Sequence, residues 1–275
     1  LKKGWLELPG AEGNQEYVQA LFAEGVRNYS YNYDKDMFTS LWVAYPLYES
    51  VMSGKESGSW KENPNVPDNY EINVLKNSYN VNYGSTTPDG YDSTKEYYSR
   101  GHQIPNADRN NHATMNSQTY YLTNSTPQIQ NGFNGGIWSS LENSIRGAVP
   151  SGDTLYVVTG AAFAKVGETK DVTWILPRNE IEEGTNKKCP VPNYYWKVVL
   201  KVKRDSEKKV TSAQSIGFWF VHEPHSGSSF TNYAATVDQI EEWTGFDFFV
   251  NLEDSVENAA EQNSNWNTFY NFKIR

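Results

Sequence analysis

The sequence predicts an α+β fold organised around a central antiparallel sheet. Three observations point there: a tyrosine-rich hairpin near the start, strand-like runs filling the second half, and helical spacing confined to a few short segments. Gln15 to Glu24 reads as a short helix. From Val26 the chain alternates tyrosine with polar residues (Arg-Asn-Tyr-Ser-Tyr-Asn-Tyr-Asp), the period of a half-buried strand. Asp34 and Lys35 make a turn, and Thr39 to Tyr45 is the returning strand. Residues 53–94, rich in Gly, Ser, Asn, Asp and Pro, read as a long surface excursion that could restrict substrate access to the segment C-terminal to it.

Glu96 to Arg100 leads into the most informative stretch of the chain. Asn106 to Gln118 is polar and reads as loop, Thr119 to Thr123 is short and apolar, and Asn124-Ser-Thr-Pro-Gln reads as a turn. Ile137, Trp138, Leu141 and Ile145 then recur at helical spacing, predicting a helix over Gly135 to Arg146 with Asn134 at its N-cap. Thr154 to Thr159, Tyr194 to Lys203 and Ile216 to His222 read as strands. Thr236 and Gln239 are placed as a capping box, with Gly245 as the stop of a helix over Thr236 to Trp243. Phe246 to Leu252 is a last apolar stretch. No repeat or low-complexity block divides the chain, so residues 1–275 are expected to form one domain.

Composition narrows the functional classes. Hydrophobic residues make up 37% and aromatics 15%, so Tyr and Trp carry much of the core and contact surface. No apolar run reaches the roughly eighteen residues of a membrane span. The single cysteine, Cys189, excludes an internal disulfide and any thiolate zinc site, and reads as a small loop residue. The net charge of −9, from 24 basic and 33 acidic side chains, argues against tight passive binding of nucleic acid, but not against an enzyme that must release product. Lys187, Lys188, Lys197, Lys201, Lys203, Arg204, Lys208 and Lys209 cluster in the second half, where the plainer reading is a hairpin with solvated lysines.

The segment Ser99-Arg100-Gly101-His102-Gln103-Ile104-Pro105, followed by Asn134-Gly-Gly-Ile-Trp138, Glu142 and Arg146, collects a histidine, a neutral oxygen ligand, a carboxylate and two arginines within fifty residues. That set meets the needs of metal-assisted phosphodiester cleavage: a base to activate water, an oxygen ligand for a hard cation, and guanidinium groups for phosphate. Arg100 beside His102 disfavours imidazolium, which keeps the ring neutral and able to accept a proton. Gly101 allows the backbone to turn tightly. One asparagine carbonyl plus waters is enough for Mg²⁺, although Asn134 also suits a plain N-cap. Glu142 and Arg146, four apart, also fit an ordinary surface ion pair.

Arg100-Gly101-His102, Leu122 to Gln128, Asn134 before Gly-Gly-Ile-Trp138, and Leu141-Glu142 with Arg146 resemble the DNA/RNA non-specific endonucleases, the ββα-metal enzymes. Tyr156 to Gly160, Val191 to Lys197, Thr236 to Gly245, Arg27 to Ser30 and Trp42 to Tyr45 extend the resemblance, over about residues 26 to 256. It implies a sequence-non-specific endonuclease with a ββα-metal active-site unit. It makes His102 the general base, Asn134 the direct ligand of Mg²⁺ (Mn²⁺ or Ca²⁺ being able to enter the site), and Glu142 an acceptor toward the metal's water shell. Arg100 and Arg146 become phosphate contacts, and Asn124 a support residue.

DNA and RNA are the implied substrates, a homodimer is allowed without an assigned face, and the missing start methionine and secreted relatives lean toward an extracytoplasmic location. The family's motif normally begins with aspartate where this chain has Ser99; a carboxylate there, within about 4–6 Å of His102, would raise the histidine's pKa. Tyr120 stands where some members carry asparagine. The rival readings are a weakened or inactive nuclease-like protein that binds nucleic acid, against which His102 and Asn134 speak, and a carbohydrate-binding protein, which the spacing of aromatics does not support.

Overall fold

The computed structural model describes residues 4–74, 98–227 and 229–274. Strands β1 (Val18–Ala23), β2 (Val26–Asp34) and β3 (Thr39–Leu47) open it as an antiparallel meander. A ribbon of β4 (Tyr98–His102) and β5 (Ser125–Ile129) follows, with helix α1 (Ala113–Thr119) between its strands and helix α2 (Ser139–Gly147) after them. The chain then returns as β6 (Leu155–Ala162), which pairs directly with β3. A second ribbon, β7 (Thr173–Ile175) and β8 (Cys189–Val191), brackets helix α3 (Arg178–Glu183). Strands β9 (Tyr194–Arg204), β10 (Val210–Val221) and β11 (Ala234–Ala235) complete an antiparallel sheet of seven strands, ordered β1-β2-β3-β6-β9-β10-β11. Helices α4 (Val237–Thr244), α5 (Asp254–Ala260) and α6 (Trp266–Asn271) end the fold.

The sheet is covered on both faces, and the period-two pattern of its long strands explains how. Tyr195 and Val199 of β9 and Ile216, Phe218 and Phe220 of β10 point to a core shared with Ile137, Trp138, Leu141 and Ile145. The alternate residues Trp196, Val198 and Leu200 point to a second core with Val237 and Ile240 of α4 and with Phe248 and Phe249. Gly217 permits the close approach of α4, since a Cβ there would stand 2.6 Å from Ile240 Cγ1. Capping of α4 agrees with the sequence pattern: Thr236 and Gln239 form a reciprocal capping box, and Gly245 ends the helix in the left-handed region.

Four local readings change. Gln15 to Glu24 is not a helix. Its second half is β1, joined to β2 through Glu24 and Gly25, both at positive φ (52° and 83°), as a two-residue hairpin turn requires. Asn106 to Gln118 is not all loop: a single-turn helix over Asn106–Arg109 and α1 occupy it. With Met115, Asn116 and Thr119 as its inward residues, α1 offers almost no apolar period to read, and its N-cap is His112, which accepts from Met115 N. Ser125 to Gln128 is strand rather than turn. Finally, Gln130–Trp138 is an irregular wound segment broken at Asn131, Gly132 and Gly136, so α2 starts at Ser139 and Asn134 is not its N-cap.

The described part of the excursion also packs inward. Val66, Ile72 and Val74 are buried, as are the polar residues Asn63 and Glu71. Asn63 donates to Tyr31 Oη and Thr123 Oγ1, and Glu71 accepts from the backbone of Asn63 and Thr123. Residues 75–94 of that reading lie outside the described residues. Cys189 is buried in β8 rather than lying in a loop. Two lysines of the basic cluster are internal: Lys197 is 1% and Lys201 4% exposed.

Candidate active site

Strand β4 carries Arg100 and His102 on one face, because side chains two apart in a strand share a side. Gly101 lies between them without positive φ. It is needed for proximity rather than for a turn, since a Cβ there would overlap the Gln128 side chain on β5. After His102 the chain is tied by Asn124. Its amide accepts from Ile104 N (3.0 Å) and donates to Ile104 O (3.0 Å) and Thr119 O (2.7 Å), while its backbone carbonyl accepts from Gln103 N (2.9 Å). Asn124 is fully buried, so it acts as a clamp on the loop that presents His102.

His102, Arg100, Asn134 and Glu142 line one cavity of about 370 Å³, together with Pro105, Asn106, Tyr120 and Ser139. The His102 ring is held between Trp60 (4.5 Å between ring centres) and Tyr120 (4.9 Å, edge-on). Its Nε2 is sealed from solvent and has no hydrogen-bond partner. Burial, with the Arg100 charge adding to it, pulls the His102 pKa down to about 3, so the ring is neutral at physiological pH. Arg100 donates to Asn73 Oδ1 (3.3 Å) and lies over the Trp60 ring (5.2 Å).

Asn134 is oriented from behind. The Ser99 hydroxyl donates to Gln128 O (3.3 Å) and therefore accepts from Asn134 Nδ2 (2.9 Å), and Gln130 Oε1 accepts from the same nitrogen (2.9 Å). Both amide hydrogens are thus committed, and Oδ1 accepts no hydrogen bond among the described residues. Ser99 is fully buried and one residue off the face of Arg100 and His102. Of the two ways residue 99 could serve, by charge on His102 or by hydrogen bonding, Ser99 shows the second: its contact is with Asn134.

Beneath the cavity lies a layer of buried charge that the motif does not announce. Lys197 donates from Nζ to Thr159 Oγ1 (3.0 Å) and lies over the Trp138 ring (4.5 Å). Burial raises the Glu142 carboxyl and lowers the Lys197 ammonium, while each charge stabilises the other. Arg146 does not line the cavity. Its guanidinium donates to Asp108 Oδ1 (2.7 Å) and Asn143 Oδ1 (2.7 Å), and Asp108 also accepts from Tyr45 Oη (2.8 Å). Arg109 is 1% exposed and donates to Asn28 and to Pro46 O, pinning the turn after Pro105 to the sheet. Trp60, Asn106 and Asp108 were missed by sequence reasoning, which noted Tyr120 only as replacing an asparagine of some family members and Lys197 only as part of a basic cluster. A lone tryptophan in an otherwise polar excursion was the one available signal, and only for Trp60.

A model of the DNA/RNA non-specific endonuclease family matches residues 13–255. The chain belongs to that family. It is 25% identical over 236 residues to a nuclease of Nostoc sp., covering 85% of this chain and 75% of that protein. A nuclease of Serratia marcescens shares 27% identity over 78% of this chain and 70% of its own. A mitochondrial nuclease of Saccharomyces cerevisiae shares 26% identity over 59% and 49%. A chain in the crystal structure of the EndoG/EndoGI complex superposes with a TM-score of 0.65 at 18% identity, covering 93% of this chain and 92% of that one.

The family membership makes this chain a metal-dependent hydrolase, a sequence-non-specific endonuclease of DNA and RNA. The ββα unit of β4, β5 and α2 is where its sequence motif falls. Relatives include mitochondrial nucleases, so kinship does not assign a compartment. Among the described residues no helix is long and apolar enough to cross a membrane.

Proposed function

We propose that residues 1–275 act as one domain that hydrolyses DNA and RNA with His102 as general base and a divalent cation, Mg²⁺, held through Asn134 Oδ1. The observation that carries this reading is convergence: a neutral imidazole, an uncommitted amide oxygen, a carboxylate and a guanidinium line the same cavity. The donor set suits a hard cation that keeps most of its waters, since Asn134 offers one neutral oxygen and Glu142 stands within the same walls to accept from that water shell. When bound, the cation supplies charge neutralisation to the phosphate and the leaving oxygen.

The chain's own residues do the rest. His102 takes the proton of the attacking water at Nδ1, because Nε2 is sealed. A base with a pKa near 3 is weak, but an anionic phosphate beside the ring favours imidazolium and lifts the value toward the working range. Arg100, already stacked on Trp60, holds a phosphate oxygen. Arg146 fixes Asp108 and the turn after Pro105, and so shapes the cavity wall from outside it. Attack is in line, the 3′ oxygen leaves, and products carry 5′ phosphate.

Plasmid nicking with and without chelator tests the reaction, and Asn134→Ala tests the ligand. The variant is expected to keep its fold, lose most of its activity and need far more Mg²⁺ for what remains. Unchanged activity and unchanged Mg²⁺ dependence would overturn the assignment of Asn134.

A further inference from the structure

On the sheet face away from His102, carboxylates gather where α4 meets the end of α5. Asp238 and Glu241 stand one helical turn apart on α4, and Glu261 is the C-cap of α5. One carboxylate oxygen from each lies within 4.8 Å of the other two. That spacing is the span of two oxygens on opposite sides of a cation at about 2.4 Å from each, the Ca²⁺–oxygen distance.

A second observation separates this group from an ordinary acidic patch. Glu261 is 5% exposed, and its Oε1 is sealed from solvent with no hydrogen-bond partner. Glu257, one turn earlier on α5, has a sealed and unpartnered Oε1 as well. The charged groups acting most strongly on Glu261 are Glu241, Glu257, Asp238 and Asp247, all of its own sign. Burial and that repulsion push its pKa up to about 9. A carboxylate buried among like charges without a donor is costly unless a cation or a proton joins it.

Asp238 and Glu241 each have one carboxylate oxygen bonded to a neighbouring segment. Gln262 Nε2 donates to Asp238 Oδ2 (2.5 Å) and Phe248 N donates to Glu241 Oε1 (2.7 Å), while the backbone Val237 N donates to Glu261 O (3.1 Å). The Asp238 carboxylate is thus anchored to Gln262, just beyond α5, and that of Glu241 to the Phe248 turn, while Glu261 is tied to α4 through its backbone carbonyl alone.

We propose that Asp238, Glu241 and Glu261 form a Ca²⁺ site, separate from the catalytic centre, that fastens α4, α5 and the Phe248 turn to one another. Ca²⁺ suits it better than Mg²⁺. Three convergent carboxylates, two from α4 and one from the end of α5, give an oxygen-rich shell, whereas Mg²⁺ keeps its waters and takes one or two carboxylates in strict octahedral geometry. The site's role is to hold the layer over the second core, not to take part in hydrolysis.

The test is made in full-length protein carrying Asn134→Ala, so that the catalytic-site ligand is gone and the readout is independent of activity. Thermal unfolding is followed in EDTA, in Ca²⁺ and in Mg²⁺, and Ca²⁺ stoichiometry is measured by calorimetric titration. Ca²⁺ at a large excess over Kd is expected to raise Tm by on the order of 5 °C, with one ion bound. Adding Glu261→Gln removes the repulsion, so the metal-free Tm stays level or rises while the Ca²⁺ increment disappears. Asp238→Asn, at an exposed position, gives the same loss if Glu261→Gln should fail to fold. An increment that survives either substitution, no bound Ca²⁺, or an equal response to Mg²⁺ would each overturn the proposal.

Discussion

His102 and His222 sit in comparable surroundings and do different things with their nitrogens. Both rings are packed against aromatic side chains, Trp60 and Tyr120 for one, Phe133 and Tyr195 for the other. Burial is the main cause pulling both below the usual histidine value, to about 3 and about 4. At His222 every polar atom is used. Ile129 N donates to Nε2 (2.9 Å), which fixes the hydrogen on Nδ1, and that group donates to Pro192 O (2.8 Å). The ring thereby joins β5 to the strand end of β10 and to the turn before β9. At His102 no side-chain hydrogen bond is made within the described residues, and the ring opens on a polar cavity. A depressed pKa is common to both, so it does not mark the catalytic histidine. The unspent hydrogen-bonding capacity facing a cavity does.

The largest effect that sharpens this contrast is on rate. His102→Ala should lower hydrolysis roughly 10²–10⁴-fold, the usual worth of general base catalysis, with a fall in Tm that reflects lost packing against Trp60 and Tyr120 and no lost hydrogen bond. Full activity in a folded His102→Ala protein would remove the contrast altogether.

His222→Ala should behave oppositely. It strands Ile129 N and Pro192 O, each costing about 1–3 kcal/mol when buried without a partner, and so should lower Tm well before it alters the chemistry. A Tm equal to that of the parent would show the ring is not the tie the geometry describes.

The third prediction concerns pH. His222 is neutral in the fold and titrates near 4, against about 6.5 when unfolded. Its contribution is therefore fully present above about pH 6.5 and is lost as pH falls toward 4, by roughly 2–3 kcal/mol for this part-buried ring. Urea midpoints measured between pH 7.5 and 4.5 should fall, and His222→Gln should flatten that part of the curve. An equal slope in the variant would assign the pH dependence elsewhere.

The smallest effect is at Ser99. Ser99→Ala removes one acceptor from Asn134 Nδ2 while Gln130 remains, so kcat should drop about two- to tenfold, the worth of one net hydrogen bond. The pH–rate profile should keep its shape, because the contact is with Asn134 and not with His102. A shifted acidic limb would restore the reading in which residue 99 tunes the histidine.

What was legible in the sequence was local. Arg100, His102, Asn134 and Glu142 fall close together along the chain, and the structure gathers them in one cavity. The strands were readable wherever one face alternated, as in β2, and the capping box of α4 is a signal complete within four residues. What could not be read was set by distant partners. Trp60 reaches His102 from an excursion that reads as polar surface. Lys197 looks like one more lysine of a basic hairpin until Thr159 and Trp138 enclose it. Arg146 is spaced to pair with Glu142 on its own helix, yet Asp108 takes it. Helix α1 was missed because nearly all its residues are polar, and β1 because a helix period and a short strand are hard to separate over six residues.

The direct pairing of β3 with β6, in register from Val43 opposite Thr159 to Leu47 opposite Leu155, has a kinetic and evolutionary consequence. Everything that lines the proposed catalytic cavity lies between those strands, as a cassette closed at its base by the sheet. Doubling the length of such a closed loop costs only about 0.6 kcal/mol, so the cassette can gain or shed residues with little penalty to the frame beneath it. The frame is also free to assemble first. In pulsed hydrogen exchange during refolding, amides of β6, β9 and β10 should acquire protection before those of β4 and β5, and the ribbon that carries His102 would mature last on a platform already built.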